Sequence, residues 1–197
     1  MGMTIDEIRS TLFSAGLRRL RDDTLDDKER IIWQGQPNPL ADMLMFRFLW
    51  WIAVPWLALT FVAISRHWID ESIMFFLLMG AMMIGGPFVM YLYDLQTLFV
   101  ITNRRALILR TAWGKRETTS TPLEDMDKDL EILDIGHGAA HLNFASNRSN
   151  RSPDADYTGR YGFRSLRNVE EVRAILEKAL GRSSHAPAKA KKARLSA

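Results

Sequence analysis

Two long apolar runs dominate the pattern of apolar and polar positions, Phe48–Ile64 and Ile73–Tyr93, and a short polar segment, 65–72, separates them. At a rise of about 1.5 Å per residue, each run would form a helix of about 25–31 Å, close to the hydrocarbon thickness of a bilayer. Neither run contains Asp, Glu, Lys or Arg, and helices of soluble proteins seldom lack a polar face over such a length. The pattern therefore predicts a two-helix transmembrane hairpin over residues 43–95, with 43–46 extending the first span.

The residues at the ends of the two runs support a membrane interpretation. Aromatic and basic side chains stand where interfacial anchors are expected, and these candidate anchors are Arg47, Trp50, Trp51, Trp68, Tyr91 and Tyr93. Lys and Arg occur in both outer flanks, whereas the connecting segment contains only Arg66. Because Lys and Arg favour the cytoplasmic side, we expect both termini in the cytoplasm and a short loop on the other side.

Residues 1–28 predict an amphipathic helix over 4–21, followed by an acidic linker. Thr4 and Glu7 have the spacing of a capping box, and apolar residues then recur at helical spacing as far as Leu20, with arginines outside that stripe. A helix with a basic face can lie on an anionic membrane surface, or it can pack on the cytoplasmic domain or on another copy of the chain. The sequence leaves these alternatives open.

The rest of the chain has the pattern of strands and one final helix. Residues 29–42 contain a short alternating strand that ends at a turn with glycine and proline. Further strands are predicted at 97–102, 105–113, 117–121, 130–135, 140–145 and 157–164. Asn168 and Glu171 then predict a second capping box, and Gly181 ends the helix that follows. We therefore expect one small cytoplasmic domain over 96–181 and a disordered basic tail over 182–197.

Composition removes several kinds of chemistry. The chain has no cysteine and a formal net charge of only +3, so thiol chemistry is excluded and specific nucleic-acid binding is not expected. His137 and His141 have the spacing of a metal pair, but glycines flank His137 and no third ligand is evident. The acidic run 125–131 alternates like a calcium loop, but Leu130 occupies the position that requires glycine, so we expect the solvent face of a strand. We predict no catalytic site, metal, cofactor or small-molecule substrate.

Two segments resemble a known family. Ile32-Trp33-Gln34-Gly35-Gln36-Pro37 before the apolar runs, and Ile101-Thr102-Asn103-Arg104-Arg105-Ala106 after them, resemble the bacterial pleckstrin-homology-like (PH-like) proteins of the inner membrane. Gly162-Phe163-Arg164 and the helix from Val169 match the closing strand and helix of that family. The resemblance covers roughly 29–180 and implies an α+β membrane protein. In such a fold, a PH-like antiparallel sheet or partial barrel is capped by the C-terminal helix, and the strand within 29–42 joins that sheet.

The expected function is binding rather than catalysis. We expect a non-enzymatic scaffold, assembly factor or accessory subunit that associates with a protein partner or with its own copies at the cytoplasmic face of the membrane. The alternative is an anionic-lipid sensor, because a basic group follows the second span closely in sequence and could contact headgroups: Arg104, Arg105, Arg110, Lys115 and Arg116. Equally, these residues could enforce topology and pair with acids. A transporter or membrane-enzyme component is less favoured, because the spans contain no ionisable group.

Overall fold

The computed structural model describes residues 14–68, 72–112, 114–127, 129–146 and 159–181. It has a mixed α+β fold with two antiparallel sheets and two long apolar helices. The helices are α1 (Ser14–Thr24), α2 (Pro39–Met45), α3 (Phe48–Ser65), α4 (Ile73–Leu95) and α5 (Val169–Ala179). The strands are β1 (Ile31–Gly35), β2 (Thr97–Thr102), β3 (Arg105–Ala112), β4 (Lys115–Pro122), β5 (Glu131–Gly136), β6 (Ala139–Ala145) and β7 (Tyr161–Leu166). The capping box at Thr4 and the basic tail lie outside the described residues.

The two apolar runs form α3 and α4, which pack against each other and are called the apolar hairpin below. Both helices are long enough and apolar enough to cross a membrane, and only 11% of each stretch is buried. A core helix of a soluble protein would be mostly covered by its own fold, so this exposed apolar surface argues against a soluble core. The expectation that 43–46 extend the first span is wrong. Residues 43–45 belong to α2, and a turn at Phe46 and Arg47 separates α2 from α3.

The strand before the apolar hairpin joins the sheet formed after it, as the family resemblance implied. The first sheet has the order β1-β2-β3-β4, and β1 pairs antiparallel with β2 through contacts such as Trp33 opposite Ile101. The second sheet has the order β5-β6-β7. Because β1 precedes α3 and β2 follows α4, the two ends of the apolar hairpin are held at the same edge of one sheet.

An aromatic core lies between the two sheets and α5. Phe163 stacks on Phe99 with ring centroids 4.7 Å apart and meets Phe144 edge-on at 5.0 Å. The preceding residue, Gly162, lies so close to β6 that an added Cβ would be 1.9 Å from the carbonyl oxygen of Leu142. Only glycine permits this approach of the two strands, which brings the ring of Phe163 into the core.

Helix α1 packs on the outer face of the four-stranded sheet. Its Leu17 and Leu20 are buried, and Leu20 contacts Val100, Leu107 and Leu109. The sequence left open whether this helix lies on the membrane surface, on the domain or on another copy of the chain. The described part of the helix packs on the domain. The helix also continues to Thr24, so the first two aspartates of the predicted linker belong to it.

The C-terminal helix α5 closes the core with Val172 and Leu176, both buried. The predicted capping box at its start is not formed, since the Asn168 side chain makes no capping hydrogen bond and its amide instead donates to Glu171 at 3.3 Å. The predicted end is confirmed. Gly181 has a φ of 70°, in the left-handed region that glycine adopts readily after a helix.

Candidate functional site

The Thr-Asn-Arg-Arg segment, 102–105, forms a clasp between the β2–β3 turn and the chain before β1. The Thr102 hydroxyl oxygen accepts hydrogen bonds from the backbone N–H groups of Arg104 and Arg105, at 3.2 and 3.0 Å. The Asn103 side-chain oxygen accepts a hydrogen bond from the N–H of Arg30 at 2.9 Å, and the Asn103 N–H donates to the Arg30 carbonyl oxygen. The motif therefore closes the turn and holds β1 in register.

Arg105 is bound in a two-pronged ion pair with Glu29. Its Nε and Nη2 donate to the two carboxylate oxygens at 2.7 and 2.9 Å, and Nη2 also donates to the Thr24 carbonyl oxygen at 3.1 Å. The Glu29 side chain is only 1% exposed, and that of Arg105 is 24% exposed. The hydrogen bonds from Arg105 hold the pKa of Glu29 below its ordinary value near 4.5, while the carboxylate raises the pKa of Arg105.

Arg110 is buried at the other end of the sheet, with 5% of its surface exposed. Its Nε donates to the Thr97 hydroxyl at 3.1 Å, and its guanidinium lies 4.3 Å from the centre of the Tyr93 ring. Glu117 lies 3.8 Å away on β4. Arg110 therefore connects the last turn of α4 to the sheet, and it is not a freely exposed cation.

The remaining cations of the predicted basic group do not gather into one patch. Arg116 lies 3.6 Å from Asp23 on α1, while Arg104 and Lys115 are exposed. Arg104 lies at one end of β3 and Lys115 beyond the other, which at about 3.4 Å per residue places them more than about 20 Å apart. Arg104 is also about 17 Å along β2 from the end of α4. Its closeness to α4 in sequence does not place it beside that helix.

The predicted aromatic anchors have different environments. Trp51 and Trp68 are exposed at opposite ends of α3. Trp50 instead points into the apolar hairpin, where its indole N–H donates to the Ile84 carbonyl oxygen at 3.2 Å and its ring meets Phe88 at 5.8 Å. Among the other predicted anchors, Arg47 is exposed, Tyr91 is half-buried and Tyr93 lies under Arg110.

A pocket of about 300 Å³ lies where the apolar hairpin meets the domain, and it is called the junction pocket below. It is lined by Pro37, Asp42, Phe46, Val89, Met90, Tyr93, Asp94, Thr97, Phe99, Arg110 and Arg164. Phe46, Val89 and Met90 make its walls apolar, whereas two carboxyl groups and two guanidinium groups converge in it. This combination of apolar walls and a few convergent polar groups is typical of small-molecule sites in proteins.

One wall of the junction pocket is fixed by buried polar contacts between α2 and the second sheet. The Ser165 hydroxyl donates to an oxygen of Asp42, and the Ser165 carbonyl oxygen accepts from the Asn38 N–H at 2.7 Å. The Ser165 N–H donates to Nδ1 of His141 at 2.9 Å. Ser165 has a φ of 51°, a left-handed conformation that is uncommon for residues other than glycine. These contacts hold that conformation in place.

The two other candidate sites do not assemble as ligand sets. His141 is buried and uses Nδ1 to accept from Ser165, whereas His137 is exposed in the β5–β6 turn. The acidic run is not one strand, because Asp125 ends a 3₁₀ turn and only Glu131 lies in β5, beside Arg160. Within the described residues, no group of three or more His, Asp or Glu side chains could hold a metal ion.

Sequence reasoning missed the junction pocket. Asp42 is the nearest acid before the apolar hairpin, and Asp94 lies in the last turn of α4. An ionisable residue within a long apolar helix is a recognised signal of function, but Asp94 follows the apolar run 73–93 and does not belong to it. Ser165 and His141 gave no such signal, since the contact of Ser165 with Asp42 depends on the approach of α2 to β7, and His141 contacts Ser165 from β6. Comparison of the chain with models of known protein families, with curated proteins and with solved structures found no match.

Proposed function

We propose that this chain is a non-enzymatic binding module anchored in the bacterial inner membrane by α3 and α4, with both termini in the cytoplasm. Its two-sheet domain is PH-like and acts as a scaffold, assembly factor or accessory subunit. The large, uncovered apolar surface of α3 and α4 supports the anchoring. The order of four strands, three strands and a closing helix supports the PH-like assignment, as does the Thr-Asn-Arg-Arg clasp.

The observation that carries a binding function is the position of exposed apolar side chains in the sheets. Among the described strand residues, large apolar side chains are exposed only at Ile31, Ile32 and Leu133. The first two lie on β1 and the third on β5, which are outermost strands of their sheets. Outermost strands have backbone groups available for pairing with another chain, and native proteins commonly protect them with charge. A protein partner or a second copy that adds a strand there would cover these side chains.

Lipid sensing through the basic group is less well supported than binding of a protein partner or a second copy. Arg105, Arg110 and Arg116 already contact Glu29, Thr97 and Asp23, respectively. An anionic headgroup would have to compete with the buried Glu29 carboxylate for Arg105, and it would have to reach a nearly inaccessible Arg110. The structure therefore favours contact with protein over contact with headgroups at these positions.

The binding proposal is tested by purifying the full chain from membranes in a mild detergent and measuring its mass and composition. We expect a stable oligomer or a partner at stoichiometric level, and we expect Ile32→Lys or Leu133→Lys to weaken that association at least tenfold. Thr118→Lys is the matched control, because Thr118 is exposed on β4, another outermost strand, but is polar. A wild-type protein that is monomeric and alone would refute the proposal.

The anchoring is tested separately by topology reporters. Fusions at Asp70 and at the C-terminus should report opposite sides of the membrane. A result that places both fusions on the same side would refute the two-span topology.

A further inference from the structure

Helix α1 runs along β3, from the end of the domain that carries the apolar hairpin to the opposite end. A Cβ added to Gly16, near the start of α1, would lie 4.0 Å from the Thr111 hydroxyl oxygen. The Thr111 N–H donates at 3.0 Å to the carbonyl oxygen of Gln96, which directly follows α4. At the end of α1, the Thr24 carbonyl oxygen accepts from Arg105 at the other end of β3. The start of α1 therefore lies beside the exit of α4, in the region called the hairpin end below.

The charges of α1 and of the segment after it are divided between these two ends. Arg18 and Arg19 are exposed near the start of α1. Because the side chains of a helix lean toward its N-terminus, both guanidinium groups lean toward the hairpin end. Arg18 also lines a small pocket there with Gln36 and Leu98. The exposed acids lie farther along the chain: Asp22, Asp23, Asp26 and Asp27. The start of α1 is therefore positive, and its end is negative.

Two further exposed cations stand at the hairpin end. Lys115 begins β4 opposite Ala112, and Arg47 lies between α2 and α3. The acid on this part of the first sheet, Glu117, already lies 3.8 Å from Arg110. The four exposed cations are called the cationic rim below: Arg18, Arg19, Arg47 and Lys115. Among the described residues, none of these four makes an ion pair. The hairpin end of α1 and of the first sheet therefore carries an excess of positive charge.

The cationic rim lies close to the depth of lipid headgroups, given the membrane anchoring proposed above. Phe46, just before α3, lines the junction pocket with Met90, so the start of the first apolar span is level with Met90 on α4. Helix α4 ends at Leu95, five residues or about 7–8 Å farther along its axis. Headgroup regions extend roughly 5–8 Å beyond the hydrocarbon, so the exit of α4 stands near their outer limit. Electrostatic attraction reaches about 8 Å farther at physiological ionic strength, which includes the first turns of α1.

We propose that the cationic rim binds the anionic phospholipids of the cytoplasmic leaflet. Helix α1 packs on the first sheet with Leu17 and Leu20, so its cations link that sheet to the membrane surface at a second place beside the apolar hairpin. The attraction depends on negative charge rather than on the shape of one headgroup, because the four side chains are spread around the domain. Arg18, Arg19 and Arg47 lie outside the basic group considered above.

The test uses the full chain in phosphatidylcholine bilayers, with spin-labelled phosphatidylglycerol or spin-labelled phosphatidylcholine as a trace probe. Electron paramagnetic resonance measures the fraction of each probe that the protein immobilises. We expect a preference of about threefold or more for phosphatidylglycerol, since each well-placed cation strengthens association by up to roughly fivefold. Raising the salt from about 0.1 M to about 1 M shortens the screening length from about 10 Å to about 3 Å, and it should remove most of the preference. A wild-type protein without a preference, or with one that salt leaves unchanged, would overturn the proposal.

Two charge reversals of equal size locate the contact. The double variant Arg18→Glu, Arg19→Glu should lower the preference about twofold or more. Its control is Lys28→Glu, Arg30→Glu, which changes the net charge equally. These two cations are exposed near the Asn103 turn, about 20 Å along the sheet from the hairpin end, so the control should keep the preference. An unchanged preference in the rim variant, or an equal fall in both variants, would overturn the proposal.

A second rim variant covers the case in which charge reversal disturbs the packing of α1. Arg18→Gln with Arg19→Gln removes both charges without adding acids, and it should also lower the preference. Unchanged binding by this folded variant would overturn the proposal. Failure of the anchoring is recognised separately, because a chain that alkaline carbonate extracts from membranes is not inserted. A chain that resists extraction but shows no preference for phosphatidylglycerol refutes only the cationic rim.

Discussion

Replacing Arg105 by alanine separates a structural role for this arginine from a lipid-binding role. Arg105 makes two hydrogen bonds to the carboxylate of Glu29, whose side chain is only 1% exposed. Its removal leaves a buried carboxylate without its partner, which costs about 3–5 kcal/mol at fully buried sites. Exposed ion pairs contribute only about 0–1 kcal/mol. Because a quarter of Arg105 is exposed, we expect the free energy of unfolding to fall by about 2 kcal/mol.

The measurement is thermal unfolding of the full chain in detergent, followed by circular dichroism of the sheets. For a β-domain of this size, a loss of about 2 kcal/mol lowers the midpoint by roughly 6–10 °C. Arg116→Ala is the control, since Arg116 and Asp23 are mostly exposed and 3.6 Å apart. That change should cost less than about 0.5 kcal/mol. If Arg105→Ala kept the wild-type midpoint but lost binding to anionic vesicles, the reasoning would be refuted, because Arg105 would then bind lipid rather than stabilise the fold through Glu29.

The same pair predicts a dependence of stability on pH. The pKa of Glu29 is lowered in the folded state, so the unfolded state binds more protons as the pH falls below about 4.5. The contribution of the pair is therefore fully present above that pH and is lost as the pH falls through the lowered pKa. Arg105→Ala should flatten this part of the profile. A variant profile that runs parallel to the wild type between pH 5 and pH 3 would contradict the assignment.

Two glycines give further tests of close packing. Gly162→Ala should prevent the domain from folding, because its Cβ would stand 1.9 Å from the carbonyl oxygen of Leu142, and the loss of a cooperative unfolding transition checks this. Gly80→Ala should weaken the apolar hairpin by about 1 kcal/mol, because its Cβ would meet the Leu57 side chain at 2.4 Å. Gly85→Ala should change little, since nothing lies within 4 Å of its Cβ. Unfolding in increasing concentrations of sodium dodecyl sulfate compares Gly80→Ala with Gly85→Ala. Equal midpoints for these two variants would contradict the close packing of Gly80 on Leu57.

The sequence predicted most of the elements because they have local patterns: continuous apolar runs indicated α3 and α4, and alternating or β-rich segments indicated the strands. Helix α2 was not predicted, since its residues were assigned to the strand segment 29–42 and to the first apolar run. The pairing of β1 with β2 across the apolar hairpin was available only from the family resemblance. The pairing of Arg105 with Glu29 and the contact of Ser165 with Asp42 were not available, since they join residues 76 and 123 positions apart. Such contacts depend on how the sheets and α2 come together, and no local pattern encodes that.

The position of the apolar hairpin inside the first sheet links the placement of the helices to the folding of the domain. Strand β1 can pair with β2 only when the ends of α3 and α4 stand side by side, since the whole hairpin separates them in sequence. The clasp at Asn103 and the contacts of Ser165 then fix the chain on either side of β1. A shift of α4 relative to α3 would therefore be resisted by the sheet. A domain held in this way has one orientation relative to its helices, so a partner that binds near the junction would meet a preformed surface.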